Sequence, residues 1–386
     1  MLLDPLFSCF RGIFHIHRMK GIGMVKSKAK GWYCVLLVCS LLWGSVSADN
    51  SLTLIEQQDR CIQYEKKEIR AKKNISKVTG LKSKEAFQPI LVELCNENAG
   101  AGTTMPKGIG KASVIYEYQT NTNGTMGMCA LFQDEIPDSV GPVGYTTVGG
   151  LMVQDEWDCA YVYHDIPDSE KNPELASSIQ NWITGNGLYG KHMLYPANVG
   201  SFKEWKYCFT EDLSVMTDQR QYVDLRGIRQ LADRYGLQPV GFHTGFLKGK
   251  TCSGEIPVSE VDIRVSSRTF TSGFVYEKSS QQYRRYVGTG TAYGDAGTGE
   301  QLTVSNVIIQ RVEYITSGGH MAPVTVGHGN ADIFMLGTYI EGYWARDDSN
   351  DQTWFFDGDG KPLELVPGVT FISLQSPSTA VVIMNY

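Results

Sequence analysis

The feature that most constrains this chain is a change of pattern at Gly254. Before it, short apolar runs alternate with capped amphipathic segments; after it, only strand-length runs follow. The candidate strands of the first part are Pro89-Ile-Leu-Val-Glu-Leu94, Ala112 to Tyr118, Met126 to Phe132 and Cys159 to Tyr163, all rich in β-branched, aromatic or other apolar residues. Two helices lie among them. Asn172-Pro173-Glu174 supplies an N-cap, a first-turn proline and an acidic first turn, with Leu175, Ile179, Trp182 and Ile183 on one face and a stop at Gly185. Asp224 opens the other, which carries Leu225, Ile228, Leu231 and Tyr235 to Gly236. Beyond Gly254 the runs Val261 to Val265, Gly273 to Tyr276, Gln281 to Val287, Val304 to Ile315, Ile333 to Trp344 and Trp354 to Leu374 are separated by Gly, Asp, Asn and Ser. The expectation is an α/β (α+β) protein: a mixed sheet flanked by helices over residues 87–254, then a mainly β part over 255–386 that extends the sheet or forms a small sandwich or barrel.

Two segments precede this body. Lys26, Lys28 and Lys30 stand before an apolar run from Trp32 to Trp43, and Val46-Ser-Ala48 offers the small residues a signal peptidase needs. Residues 1–48 therefore read as a leader cleaved after Ala48, with Met19 or Met24 as alternative starts. The competing reading is a retained anchor, although the 17 residues from Trp32 to Ala48 fall short of the roughly 20 that span a bilayer. Either reading places the rest of the chain outside the cytoplasm, with membrane contact only through the leader. Residues 49–86 are polar and lysine-rich and read as a spacer or solvated helix.

An exported chain can oxidise its cysteines. Cys61, Cys95, Cys129, Cys159, Cys208 and Cys252 follow the leader, an even number that permits disulfides of open connectivity. The alternative weighs equally, because Cys129 and Cys159 sit in apolar runs where a thiol packs as a small hydrophobe. With 42% hydrophobic and 20% charged residues and a net charge of −6, the chain is an ordinary globular protein without the basic surface that nucleic acid requires.

Chemical motifs are sparse. Gly185-Asn-Gly-Leu-Tyr-Gly190-Lys191 has phosphate-loop spacing, but His192 replaces the magnesium-binding hydroxyl and the segment follows a helix. Asp357-Gly-Asp-Gly360 resembles the start of a calcium loop yet lacks its later carboxylates, and reads as a turn. No histidine spacing calls for a metal, and no motif calls for a cofactor. His164 and Asp165 stand out because they follow the strand Cys159 to Tyr163, and the ends of strands are where α/β sheets bind ligands. Glu117, at the end of another strand, is their candidate companion, with Tyr116 and Tyr163 as wall residues. Only one of Tyr116 and Glu117 can face a given side.

Several separated blocks resemble a known family. Lys107-Gly-Ile-Gly-Lys-Ala-Ser-Val-Ile-Tyr-Glu117, Asn123 to Phe132 and Ile136-Pro-Asp-Ser-Val-Gly-Pro-Val143 resemble the core of the YerB-like bacterial envelope lipoproteins. Tyr283-Arg-Arg-Tyr286, Asp295, Thr298-Gly-Glu-Gln-Leu302, Asn306 to Gln310, Gly327-His-Gly329 and Gly342-Tyr-Trp344 resemble that family's companion C-terminal domain. The resemblance implies a surface-tethered protein of uncharacterised activity. This chain departs from the family pattern at Gly144-Tyr-Thr-Thr147, at Gly127 where relatives carry arginine, and at Tyr163-His-Asp-Ile-Pro-Asp168. Cys39 follows Leu37-Val38 without the small residue of a lipid-attachment signal. The reading implied is a binding or adaptor protein for an envelope protein or cell-wall component; the alternative is a wall-directed hydrolase using Glu117 and His164.

Overall fold

The computed structural model describes residues 72–96, 105–188, 193–198, 203–214, 220–237, 245–249, 256–265, 271–288, 290–349 and 351–385, together with 69, 254 and the backbone of an antiparallel hairpin, Leu52–Gln57 with Arg60–Glu65. The leader 1–48 lies outside the described residues. Among the described residues no helix is long and apolar enough to cross a membrane.

The large-sheet strands of the first part are β1 (Ile90–Leu94), β2 (Val114–Gln119), β3 (Met126–Phe132), β4 (Ala160–Tyr163) and β5 (Leu194–Pro196), and its α-helices are α1 (Val148–Trp157), α2 (Pro173–Gly185) and α3 (Leu225–Arg234). The second part supplies β6 (Glu260–Arg264), β7 (Thr271–Glu277), β8 (Gln282–Val287), β9 (Asn306–Arg311), β10 (Tyr314–Ser317), β11 (His320–Pro323), β12 (Gly327–Met335), β13 (Thr338–Arg346), β14 (Trp354–Asp357), β15 (Thr370–Gln375) and β16 (Ala380–Met384). Among its described residues no helix interrupts it, as the pattern beyond Gly254 predicts.

The strands on either side of the expected boundary share one sheet. Its order is β13-β12-β9-β15-β2-β3-β1-β4-β5. β15 pairs in parallel with β9 on one side and with β2 on the other, so the last long strand of the chain is the seam between the two parts. Strands β1, β3, β2 and β15 are buried along their whole length. That explains why they read as continuous apolar runs rather than alternating ones. A second sheet, built around β8-β7-β6-β16, packs with α3 on one face of the large sheet through Val261, Ile263, Phe274 and Ile228. Helices α1 and α2 cover the other face through Leu151, Trp157, Ile179 and Ile183.

Three expectations change. Helix α1 is absent from the sequence reading because nine of its ten residues are buried, leaving no polar stripe to mark a 3.6-residue period. Its start is nevertheless capped, with the Thr147 hydroxyl accepting from Gly150 N–H at 2.9 Å. Among the described residues of the segment 49–86 there is no helix: its first part holds the hairpin, and Ser76, Val78 and Thr79 are buried against the body. Ser76 Oγ holds that turn by accepting from the amides of Val78 and Thr79. Finally, Cys129, Cys159 and Cys208 are buried free thiols, so the packing alternative describes them. Cys129 and Cys159 join the core on the helix-covered face of the sheet, where burial pushes both thiols up. Cys95 is partly buried at the end of β1; Cys252 and the side chain of Cys61 lie outside the described residues.

Candidate functional site

Strands β1, β2 and β4 run in the same direction, since β1 and β2 both pair antiparallel with β3 and β1 pairs in parallel with β4. The carboxyl ends of β1 and β2 open together onto a cleft of about 370 Å³, with Pro167 and Asp168 of the loop after β4 at its side. This is where an α/β sheet offers room for a ligand, and the volume is that of a small-molecule site. The first turn of α1 forms one wall, with Tyr145 and Val148. The chain after β1 and β2 brings Asn96 and Thr120, and the β10–β11 hairpin of the second part closes the side with His320 and Met321. That hairpin is docked by backbone bonds, Met321 N–H to Thr120 O at 3.0 Å and Thr122 N–H to Gly319 O at 3.0 Å.

Glu93 lies at the foot of the cleft and is 1% exposed. Its carboxylate accepts from the Tyr161 hydroxyl at 2.6 Å and from the Tyr118 hydroxyl at 2.7 Å, with the Thr147 hydroxyl at 3.3 Å. Two glycines at the start of α1 make this approach feasible. A Cβ at Gly150 would stand 2.2 Å from Glu93 Oε2, and one at Gly149 would meet the Tyr118 ring at 2.4 Å. Gly127, opposite Tyr118 across the β2–β3 pair, is covered by the same ring, at 2.4 Å from its would-be Cβ. Gly127 and Gly149 thus sandwich one tyrosine that points its hydroxyl at Glu93.

Burial raises the Glu93 carboxyl to about 7, against the pull of the three hydroxyls. A group whose folded value exceeds its unfolded one near 4.5 binds its proton more tightly in the native state. Its stabilising share is complete below about pH 4.5 and disappears as pH rises toward 7, a span worth about 3 kcal/mol. Melting temperature should therefore fall between pH 5 and 8, and Glu93→Gln should flatten most of that fall. Asp155, raised to about 6 by burial beside Arg346, contributes with the same sign and should persist in the variant. A wild-type pH profile indistinguishable from that of Glu93→Gln would contradict this.

The residues expected to form a site are not brought together. Tyr116 and Tyr163 are core side chains on the helix-covered face, Tyr116 accepting from Trp157 Nε1 at 2.8 Å. Glu117 points to the opposite face and is wholly buried, paired with Arg285 of β8 at 2.6 Å; burial pushes its carboxyl up. His164 packs its ring edge-on against Tyr145, centroids 4.8 Å apart, with Nδ1 buried and unpartnered. Because β3 and β1 intervene between β2 and β4, Glu117 and His164 start about 14 Å apart. Of the five, only Asp165 lines an open surface, a groove of about 600 Å³ behind Pro167 and Asp168. There it accepts from Asn198 Nδ2 at 2.7 Å and from Ile166 N–H at 2.7 Å. The residue missed, Glu93, had one signal: it is the single carboxylate inside the apolar run Pro89 to Leu94. Among the described residues no group of acidic, histidine and cysteine side chains has the geometry to hold a metal ion. Asp357 closes a turn by accepting from the Asp359 and Lys361 amides.

The arrangement has counterparts. Residues 261–372 match the family model described as "Protein of unknown function (DUF3048) C-terminal domain". Over 356 residues, 89% of this chain and 95% of the relative, the sequence is 23% identical to "Putative lipoprotein YerB" of Bacillus subtilis (strain 168). The crystal structure of the YerB protein from Bacillus subtilis superposes with a TM-score of 0.63 at 19% identity, covering 80% of this chain and 99% of that one.

The chain is similar to YerB along nearly its whole length.

Within this YerB-like fold, the blocks that carry the resemblance are joints between the two parts. Asp295, after β8, accepts from the amides of Gly108 at 3.0 Å, Gly110 at 2.9 Å and Gly297 at 2.7 Å. Arg285, from the Tyr283-Arg-Arg-Tyr286 block, meets Glu117 and lies between the rings of Tyr293 and Phe371. The cleft, by contrast, is lined by this chain's departures, Gly127 and Gly144-Tyr-Thr-Thr147.

Proposed function

We propose that this YerB-like protein is an extracytoplasmic, non-enzymatic binding or adaptor protein of the cell envelope, and that the cleft above Glu93 is where it holds an envelope protein or cell-wall component. The observation that carries this reading is the state of the one carboxylate at the cleft floor. Both Glu93 oxygens are already engaged by tyrosine hydroxyls. A general acid or base must reach the proton it transfers, and Glu93 reaches only its own hydroxyl cage. That supports recognition rather than catalysis in the cleft. The pairing of Glu117 with Arg285 and the two strands between Glu117 and His164 weigh against the hydrolase alternative. The lipoprotein description of the Bacillus subtilis relative supports the envelope setting.

Co-sedimentation of the full chain with purified cell-wall material tests the reading. Retention should fall about tenfold, equivalent to about 1.4 kcal/mol, when Thr125, an exposed cleft residue, is replaced by tryptophan to fill the mouth. Retention unaffected by Thr125→Trp would remove the cleft from the proposal.

A further inference from the structure

The cleft contains one polar atom that the fold leaves unserved. Asn96 is 5% exposed and lines the cleft, and its Oδ1 is buried without a hydrogen-bond partner. Its amide nitrogen is directed to Met126 O at 3.4 Å, which fixes the orientation and leaves the oxygen as a pure acceptor. A buried acceptor left unmade costs free energy, so a ligand that donates an N–H or O–H there gains more than one meeting a solvated group.

The surroundings narrow the donor. The amino end of α1 would ordinarily attract an anion, but the Glu93 carboxyl already occupies the space beneath Gly150. The cationic Lys171 at the rim is paired with Asp168 at 3.7 Å. The basic groups of the lining, Lys171 and His320, are matched in number by Glu93 and Asp168, so the cleft carries no surplus of basic groups for a phosphate or carboxylate. Tyr145, Val148, Pro167 and Leu175 give the cleft apolar surface, and Thr120 and Thr125 bring hydroxyls to it. Each hydroxyl that donates within the protein keeps lone pairs to accept from a ligand hydroxyl. Thr120 donates to Thr125 O at 3.1 Å in this way.

Resting on the cleft reading above, we infer that the site takes an uncharged acetamido sugar, its amide N–H donated to Asn96 Oδ1, its C–H face on the Tyr145 wall and its hydroxyls toward Thr120 and Thr125. A peptide amide would serve Asn96 but brings no hydroxyls for Thr120 and Thr125, and a plain glucan brings hydroxyls without the amide.

The test is calorimetric titration of the full chain with N,N′-diacetylchitobiose, cellobiose and N-acetylalanine methylamide in parallel. The acetamido disaccharide should bind at least about tenfold more tightly than either of the others, and Asn96→Ala should remove that preference. The ligand comparison needs no variant, so it holds even if Asn96→Ala folds poorly. Equal affinity for cellobiose, or tighter binding of the acetylated amide alone, overturns the inference. Wall co-sedimentation that remains sensitive to Thr125→Trp while diacetylchitobiose fails to bind overturns the sugar assignment alone; loss of both overturns the cleft reading as well.

Discussion

Replacing Glu117 with leucine should destabilise the protein by about 3–5 kcal/mol, the cost of leaving a buried cation without its partner. Glu117 and Arg285 are both fully buried, 2.6 Å apart, and they link the large sheet to the second sheet. Around them the environment is apolar or weakly polar. The Arg285 guanidinium lies 4.2 Å from the Tyr293 ring centroid and 4.6 Å from that of Phe371, and it donates to Met128 Sδ. Ser373 gives Glu117 only a long bond at 3.4 Å. Arg285 is fully buried, so its charge stays away from water once Glu117 is gone and the penalty falls on the native state. Pairing Glu117→Leu with Arg285→Met should restore most of the loss, because two apolar side chains of similar volume need no partner. Urea midpoints of the single and double variants make the comparison. A single variant within 1 kcal/mol of wild type would show that the pair is not ionised or not buried as described.

The second large effect is expected at Asp295. Its carboxylate satisfies three glycine amides, two of them across the joint between the parts of the chain. Bonds to a charged acceptor contribute about 1.5–3 kcal/mol each, but Gly110 and Gly297 are exposed and can turn to water, whereas Gly108 is buried. Asp295→Ala should therefore cost about 3 kcal/mol rather than the full sum. Asp295→Asn, which keeps one oxygen acceptor, should cost less. Hydrogen exchange should locate the damage, with the Gly108 amide losing protection first. Unchanged Gly108 protection in Asp295→Ala would refute the account.

Both predictions concern residues that the sequence marks as notable for the wrong reason. Glu117 is the one carboxylate of its strand, a position that points equally to an active-site acid and to a buried ion pair. The partner that distinguishes them is 168 residues away in the chain. Its strand lies in another sheet. Likewise the Gly108-Ile-Gly110 block and Asp295 are separate signals in the sequence and one contact in the fold. A resemblance built on such blocks identifies the architecture, because the blocks are the joints of that architecture, and is silent about the cleft.

Local pattern determined a great deal by itself. The first-turn proline after Asn172, the Asp224 cap and the apolar spacing specified α2 and α3, since these signals lie within a few residues of one another; Asp224 accepts from Arg226 N–H, whereas Asn172 holds the N-cap position without a side-chain hydrogen bond. The apolar runs specified β1 to β4 and the helix-free second part, since side-chain period and turn residues are local properties. The tertiary structure alone decided three things. It ran one sheet through both parts by inserting β15 between β9 and β2, a pairing between distant segments that no local pattern encodes. It buried α1 on nearly every side, which erased the amphipathic signal that a surface helix displays. And it assembled the cleft from the ends of three strands, a helix start and the β10–β11 hairpin, placing Asn96, Glu93 and Tyr145 beside His320. Those groups converge because parallel strands end on the same side of a sheet, and which strands become neighbours is settled only when the whole core packs.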